Sequence, residues 1–106
     1  MRNDRDVAGA SRSRSPRIDS WGDEVHVVWS DTRNDINNAI ADIYVDSSSD
    51  GGVNWLPMDS RIDTNPLGAA NSTLPQLCVD GARVYLAWRD ERDGGAFGIY
   101  FNRRIP

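Results

Sequence analysis

The sequence predicts an all-β protein built from two copies of one antiparallel-strand unit, and three observations predict it. Sliding the chain against itself by 59 residues gives a gapless match in which Pro16 meets Pro75, Val25 meets Val84, Trp29 meets Trp88, Asp31 meets Asp90 and Arg33 meets Arg92. All twelve basic residues are arginine and fourteen of the sixteen acids are aspartate. Aspartate favours turns and caps, whereas lysine and glutamate favour helices, so this bias points to strands and loops. No segment sustains apolar residues at helical spacing.

Short apolar runs bounded by turn residues place the strands. The first copy gives PRID (16–19), EVHVVWS (24–30), DIYVDSS (42–48) and a last strand near LPMDSRI (56–62). The second gives PQLCV (75–79), RVYLAWR (83–89) and GIYFNRR (98–104), with no counterpart of the fourth strand before Pro106. Beyond Arg33 the register changes: DIYV (42–45) matches GIYF (98–101) at a shift of 56, so the first copy carries three extra residues in NDINNAIA. Insertions are tolerated in surface connections, and this stretch is expected to be one.

The middle strands are apolar on both sides. Val25, Val27 and Trp29 alternate with His26 and Val28, as Val84, Leu86 and Trp88 alternate with Tyr85 and Ala87. Strands that hide both faces need a layer on each side, and blades stacked around an axis provide it. The expected architecture is therefore two β-propeller blades of antiparallel strands. Residues 15–62 form blade 1, and residues 63–106 form blade 2 without its outer strand. Residues 1–14 form an arm that aligns with the end of the outer strand and the connection after it.

Two blades alone would expose an apolar face at each end of their stack. Oligomerisation removes both faces if the rotation per chain closes a ring. Three chains give a six-bladed propeller and four give eight; the trimer is preferred. The partner is thus expected to be the chain itself, with residues 1–6 filling the empty edge of blade 2.

Charge is uneven. Residues 1–17 hold five arginines against Asp4 and Asp6, giving +3 and leaving −7 on the remainder. Nucleic acid is not expected as a partner, because no aromatic residue interleaves these arginines for base stacking. No apolar run approaches the ~20 residues that cross a bilayer, so no membrane partner is expected. No apolar stretch with a cleavage site opens the chain, so no secretory signal is expected. His26 and Cys78, each the only residue of its type, are expected in packed strands, and no metal or cofactor follows from them.

Between the third and fourth strands lies Ser48-Ser49-Asp50-Gly51-Gly52-Val53-Asn54-Trp55, of the form Ser-x-Asp-x-Gly-x-x-Trp. It resembles the Asp-box, or bacterial neuraminidase repeat, of bacterial sialidases. The SPRI and WSDTR blocks are also usual in such repeats. The resemblance implies a structural role for Ser48, Asp50, Gly52 and Trp55, in a hairpin away from any active site. It departs from sialidases where their catalysis resides. That chemistry needs three arginines, a tyrosine–glutamate pair and an aspartate spread over six blades, and Glu24 and Glu91 are the only glutamates here. No catalytic residue is assigned, and the terminal Arg-Ile-Pro is read as coincidence.

The leading functional expectation is a sialidase-like binding module, carbohydrate-binding in the manner of a lectin. Asp31 and Arg33, with Asp90 and Arg92, leave the ends of the buried strands together. A carboxylate beside a guanidinium fork can hold sugar hydroxyls or an acidic ligand. It can equally form a salt bridge that braces its own loop. Trp21, next to Gly22, is the expected exposed aromatic, whereas Trp29 and Trp88 read as core. The alternatives are a fragment or relative of a glycosidase, and a structural or interaction module without a small ligand.

Overall fold

The computed structural model describes residues 2–3, 11–63, 70–81, 83–92 and 98–104. Among the described residues seven strands form: β1 Ser13–Trp21, β2 Glu24–Asp31, β3 Asp42–Ser48, β4 Ser60–Arg61, β5 Ser72–Asp80, β6 Arg83–Asp90 and β7 Gly98–Arg104. They make two sheets, ordered β1-β2-β3-β4 and β5-β6-β7. Every pairing is antiparallel, and the described residues contain no helix. Of the arm at 1–14, Met1 and residues 4–10 lie outside the described residues, as do Ile105 and Pro106.

The first strand of each sheet begins earlier than expected. β1 and β5 start at Ser13 and Ser72, ahead of the prolines taken to open them. A proline cannot donate to the ladder and is confined to edge strands, such as these, and to bulges. Here the register shifts between Arg14 and Arg17, and again between Thr73 and Gln76. Two residues of the edge strand then oppose one of its neighbour, and this bulge absorbs the proline. Ser15 and Leu74, just before the prolines, take φ of 54° and 51°. The same device thus occurs at equivalent places in both sheets.

The sheets meet face to face. Val28, Ile43 and Val45 of the first pack with Val79, Val84, Leu86 and Trp88 of the second, and Ile62 of the connection joins them. Fully burying one such side chain contributes about 1.5–3 kcal/mol, so this joint is the main apolar core. Hydrogen bonds fix its register. Ile62 extends the β3–β4 ladder by donating its backbone N–H to the Ile43 carbonyl at 2.9 Å, and between the sheets Ser72 donates to Ala41 at 2.8 Å. The Val79 N–H reaches the Asp19 carboxylate at 2.7 Å.

The Ser48–Trp55 turn follows β3. Ser48 Oγ accepts from the Gly52 N–H at 2.9 Å and donates to Asp50 at 2.8 Å. Asp50 accepts from both the backbone and the side-chain amide of Asn54 at 2.8 Å, and Trp55 Nε1 donates to the Gly52 carbonyl at 3.0 Å. The Asn54 backbone donor first, then the Ser48 hydroxyl and Asn54 amide, hold the Asp50 carboxyl down at about 2. Gly52 has φ of 92°, and a Cβ there would lie 3.7 Å from Trp55, an ordinary contact. The cost of Gly52→Ala is therefore conformational, about 1–2 kcal/mol, and should appear as a lower urea midpoint. An unchanged midpoint would mean that the turn forms without that backbone geometry.

Candidate functional site

The Asp31–Arg33 and Asp90–Arg92 pairs have the same geometry. In the first, the Asp31 carboxylate accepts Trp29 Nε1 at 3.1 Å, the Arg33 backbone N–H at 2.9 Å and Arg33 Nη2 at 2.8 Å. In the second, Asp90 accepts Trp88 Nε1 at 3.2 Å, the Arg92 N–H at 2.8 Å and Arg92 Nη2 at 2.8 Å. A serine from the adjacent edge strand completes each set: Ser13 to Asp31 at 3.1 Å and Ser72 to Asp90 at 3.0 Å. The Arg33 and Arg92 guanidiniums each lie 3.8 Å from the ring centre of Tyr44 and Tyr100, so cation–π attraction adds to the ion pair.

Both carboxylates are fully buried. Burial by itself raises their pKa. The arginine and tryptophan donors outweigh it, lowering Asp31 and holding Asp90 at about 2. Arg33 also forks onto Asp59 at 3.0 and 2.7 Å. The oxygens that were candidates for a ligand are spent on internal donors, so the arrangement braces the loop after each central strand.

A buried polar line runs from this end of the first sheet to the second. Arg61 Nε lies 3.6 Å from Asp42 and 3.2 Å from Asp63. Ser72 Oγ donates at 3.0 Å to Asp90 and lies 3.3 Å from Asp63. Burial first, then the hydrogen bond to Asp42, pushes the Asp63 carboxyl up to about 7.

Trp21 is 56% exposed at the β1–β2 turn, where Gly22 takes φ of 58°. β2 runs from that turn to Asp31 and has eight residues, a span of roughly 25 Å. Trp21 therefore does not share a site with Asp31 and Arg33. Trp29 and Trp88 are core, at 4% and 2% exposure. His26 is buried, with Nδ1 2.7 Å from Ser47 Oγ. Cys78 is a correction: it is exposed rather than packed, because β5 alternates and turns it away from the joint.

At the Asp31 and Asp90 end, between the two sheets, lies a cleft of about 340 Å³. Its wall includes Arg12, Arg14, Thr32, Asn38, Asn71 and Thr73. Arg12 is fixed by paired bonds with Thr32, its N–H to Thr32 Oγ1 at 2.9 Å and its carbonyl from the Thr32 N–H at 3.0 Å. Asn71 Oδ1 accepts from the Ala41 N–H at 2.9 Å. Reading residues 1–14 as a basic arm missed this cleft. The available signal was that Arg12 and Arg14 align with Asn71 and Thr73 across the repeat. No protein-family model, curated protein or solved structure matches the chain.

Proposed function

We propose that the chain is a pair of sialidase-like propeller blades of the Asp-box type that acts as a carbohydrate-binding module. The polar cleft between the sheets carries this reading. Thr32, Asn38 and Asn71 are held in place by internal hydrogen bonds, so the contacts to sugar hydroxyls fall to Thr73 and the arginines of the wall. The two guanidinium groups favour a sugar bearing a carboxylate, which they can hold in a fork. The volume falls within the range of small-ligand sites and suits one sugar ring. The braced Asp31–Arg33 and Asp90–Arg92 loops stiffen the rim rather than supply the contacts. Copies assembled into a six-bladed ring would repeat the cleft and raise a weak affinity by avidity.

The test is an NMR titration with an acidic monosaccharide and with its neutral counterpart. Shifts should concentrate at Thr73 and along the wall at Thr32, Asn38 and Asn71, with the acidic sugar binding tighter. Arg14→Ala should weaken that preference at least several-fold, and Trp21→Ala should leave it unchanged. Shifts centred on Trp21, or none at all, would remove the cleft from the account. A fluorogenic sialoside should not be turned over.

A further inference from the structure

The chain makes one face-to-face joint and carries both halves of a second. In the joint, the first sheet presents Val28, Ile43 and Val45 to Val84, Leu86 and Trp88 of the second. Across the repeat, Ala87, Ile99 and Phe101 stand on the second sheet where Val28, Ile43 and Val45 stand on the first. Val25, Val27 and Trp29 likewise stand where Val84, Leu86 and Trp88 stand. The outer faces are therefore the missing partners of each other, on opposite sides of the molecule.

Exposure at the rims of these faces agrees, although Trp29 and Tyr44 at the centre of the first are already covered. Ile99 and Phe101 are 75% and 65% exposed, although their equivalents Ile43 and Val45 are almost fully buried. Ile18 is 68% exposed, whereas its equivalent Leu77 packs against the core. Pro75 is buried and Pro16 is exposed.

A second observation concerns the edge of β7. β4 pairs with β3 through Arg61 opposite Tyr44. Arg2 aligns with Arg61, and Tyr100 aligns with Tyr44. Asn3 Nδ2 donates to Asp46 at 3.0 Å, and Asn102 Nδ2 donates to the Ile62 carbonyl at 3.2 Å. Position 3 aligns with 62 and position 46 with 102, so Asn3 already lies against the first sheet as Ile62 lies against the second.

We propose that a second copy of this chain docks the outer face of its first sheet onto the outer face of the second sheet, repeating the internal joint. Arg2 and Asn3 of the incoming copy extend β7 by one short strand. The contact is heterologous, with each copy offering one face and accepting on the other. It deepens the blade reading by naming the partner of each open face, and it stands or falls independently of sugar binding.

Light scattering after size exclusion tests it. The wild-type chain should run as a multiple of its 11.8 kDa mass. Ile18→Asp and Phe101→Asp each block one face, at side chains that the single chain leaves exposed, and each should reduce the mass to one chain. Mixed in equal amounts, they should form a species of two chains, because each retains the face the other has lost. Cys78, on the outer face of the second sheet, should label more slowly in the wild-type assembly than in Phe101→Asp. Circular dichroism and the urea midpoint check that each variant is folded, and Ile18→Ser and Phe101→Ser replace any that is not. A single-chain mass for the wild type at every concentration would overturn the proposal, as would an assembly that survives either substitution.

Discussion

Replacing Asp90 by alanine should destabilise the fold by about 3–5 kcal/mol, the cost of breaking a buried ion pair by removing one partner. The change leaves the Trp88 indole N–H and the Arg92 backbone N–H without their carboxylate acceptors, and the Ser72 hydroxyl with only Asp63. It also removes the charge that holds the Arg92 guanidinium over Tyr100. Domains of this size have about 5–15 kcal/mol in total, so much of the stability should go. Asp90→Asn keeps an oxygen but not the charge, and should cost less, roughly 1–3 kcal/mol. Asp31→Ala removes the matching carboxylate, but Arg33 retains its fork onto Asp59, so the loss should be smaller than at Asp90. Urea unfolding followed by tryptophan fluorescence measures all three. A loss below about 1 kcal/mol at Asp90 would place its carboxylate among ordinary surface pairs and reopen it as a ligand group.

The seven strands were legible because their signals are local. Alternation, turn residues and the repeat place β2, β3, β6 and β7 within a residue of their observed bounds. The early starts of β1 and β5 were not legible, since a bulge that absorbs Pro16 or Pro75 depends on register with the neighbouring strand. Asp31, Arg33, Asp90 and Arg92 were legible as special positions. What they do was not: the same Asp–Arg spacing fits a ligand fork and an internal brace. The difference lies in the direction of the neighbouring indole two residues back and in the tyrosine ring that each pair meets through pairing with β3 or β7. Cys78 was misplaced for a related reason. An apolar run such as LPQLCV shows that a strand is buried somewhere, but the bulge decides which residues face the joint.

Between about pH 4 and pH 7 the stability of the chain should fall as pH rises, contrary to the usual behaviour of carboxylates. Asp63 is the cause. Its folded-state pKa is raised to about 7, so across this window the folded chain holds a proton that the unfolded chain has released. Each pH unit then removes about 1.4 kcal/mol at most, and allowing for relaxation around the buried pair the total should be on the order of 2–4 kcal/mol. The structural reason is burial first, and then the Asp42 carboxylate beside it, with Arg61 facing both. Below pH 4 the sign reverses. Asp50 and Asp90 are held at about 2, so the stability they confer is present above the unfolded carboxylate pKa and is lost as pH drops towards 2. A maximum near pH 4–5 follows from the two limbs together. Asp63→Asn should remove the upper limb alone. The amide oxygen can still accept from the Ile43 N–H, now bound at 2.9 Å, while Arg61 is left facing the single carboxylate of Asp42. The variant should therefore be more stable than wild type at pH 8, with its acid limb unchanged. Urea midpoints taken from pH 3 to pH 8 decide the matter: a wild-type curve that stays flat above pH 5 would mean that Asp63 ionises freely in the fold, and that Arg61 or water balances both carboxylates.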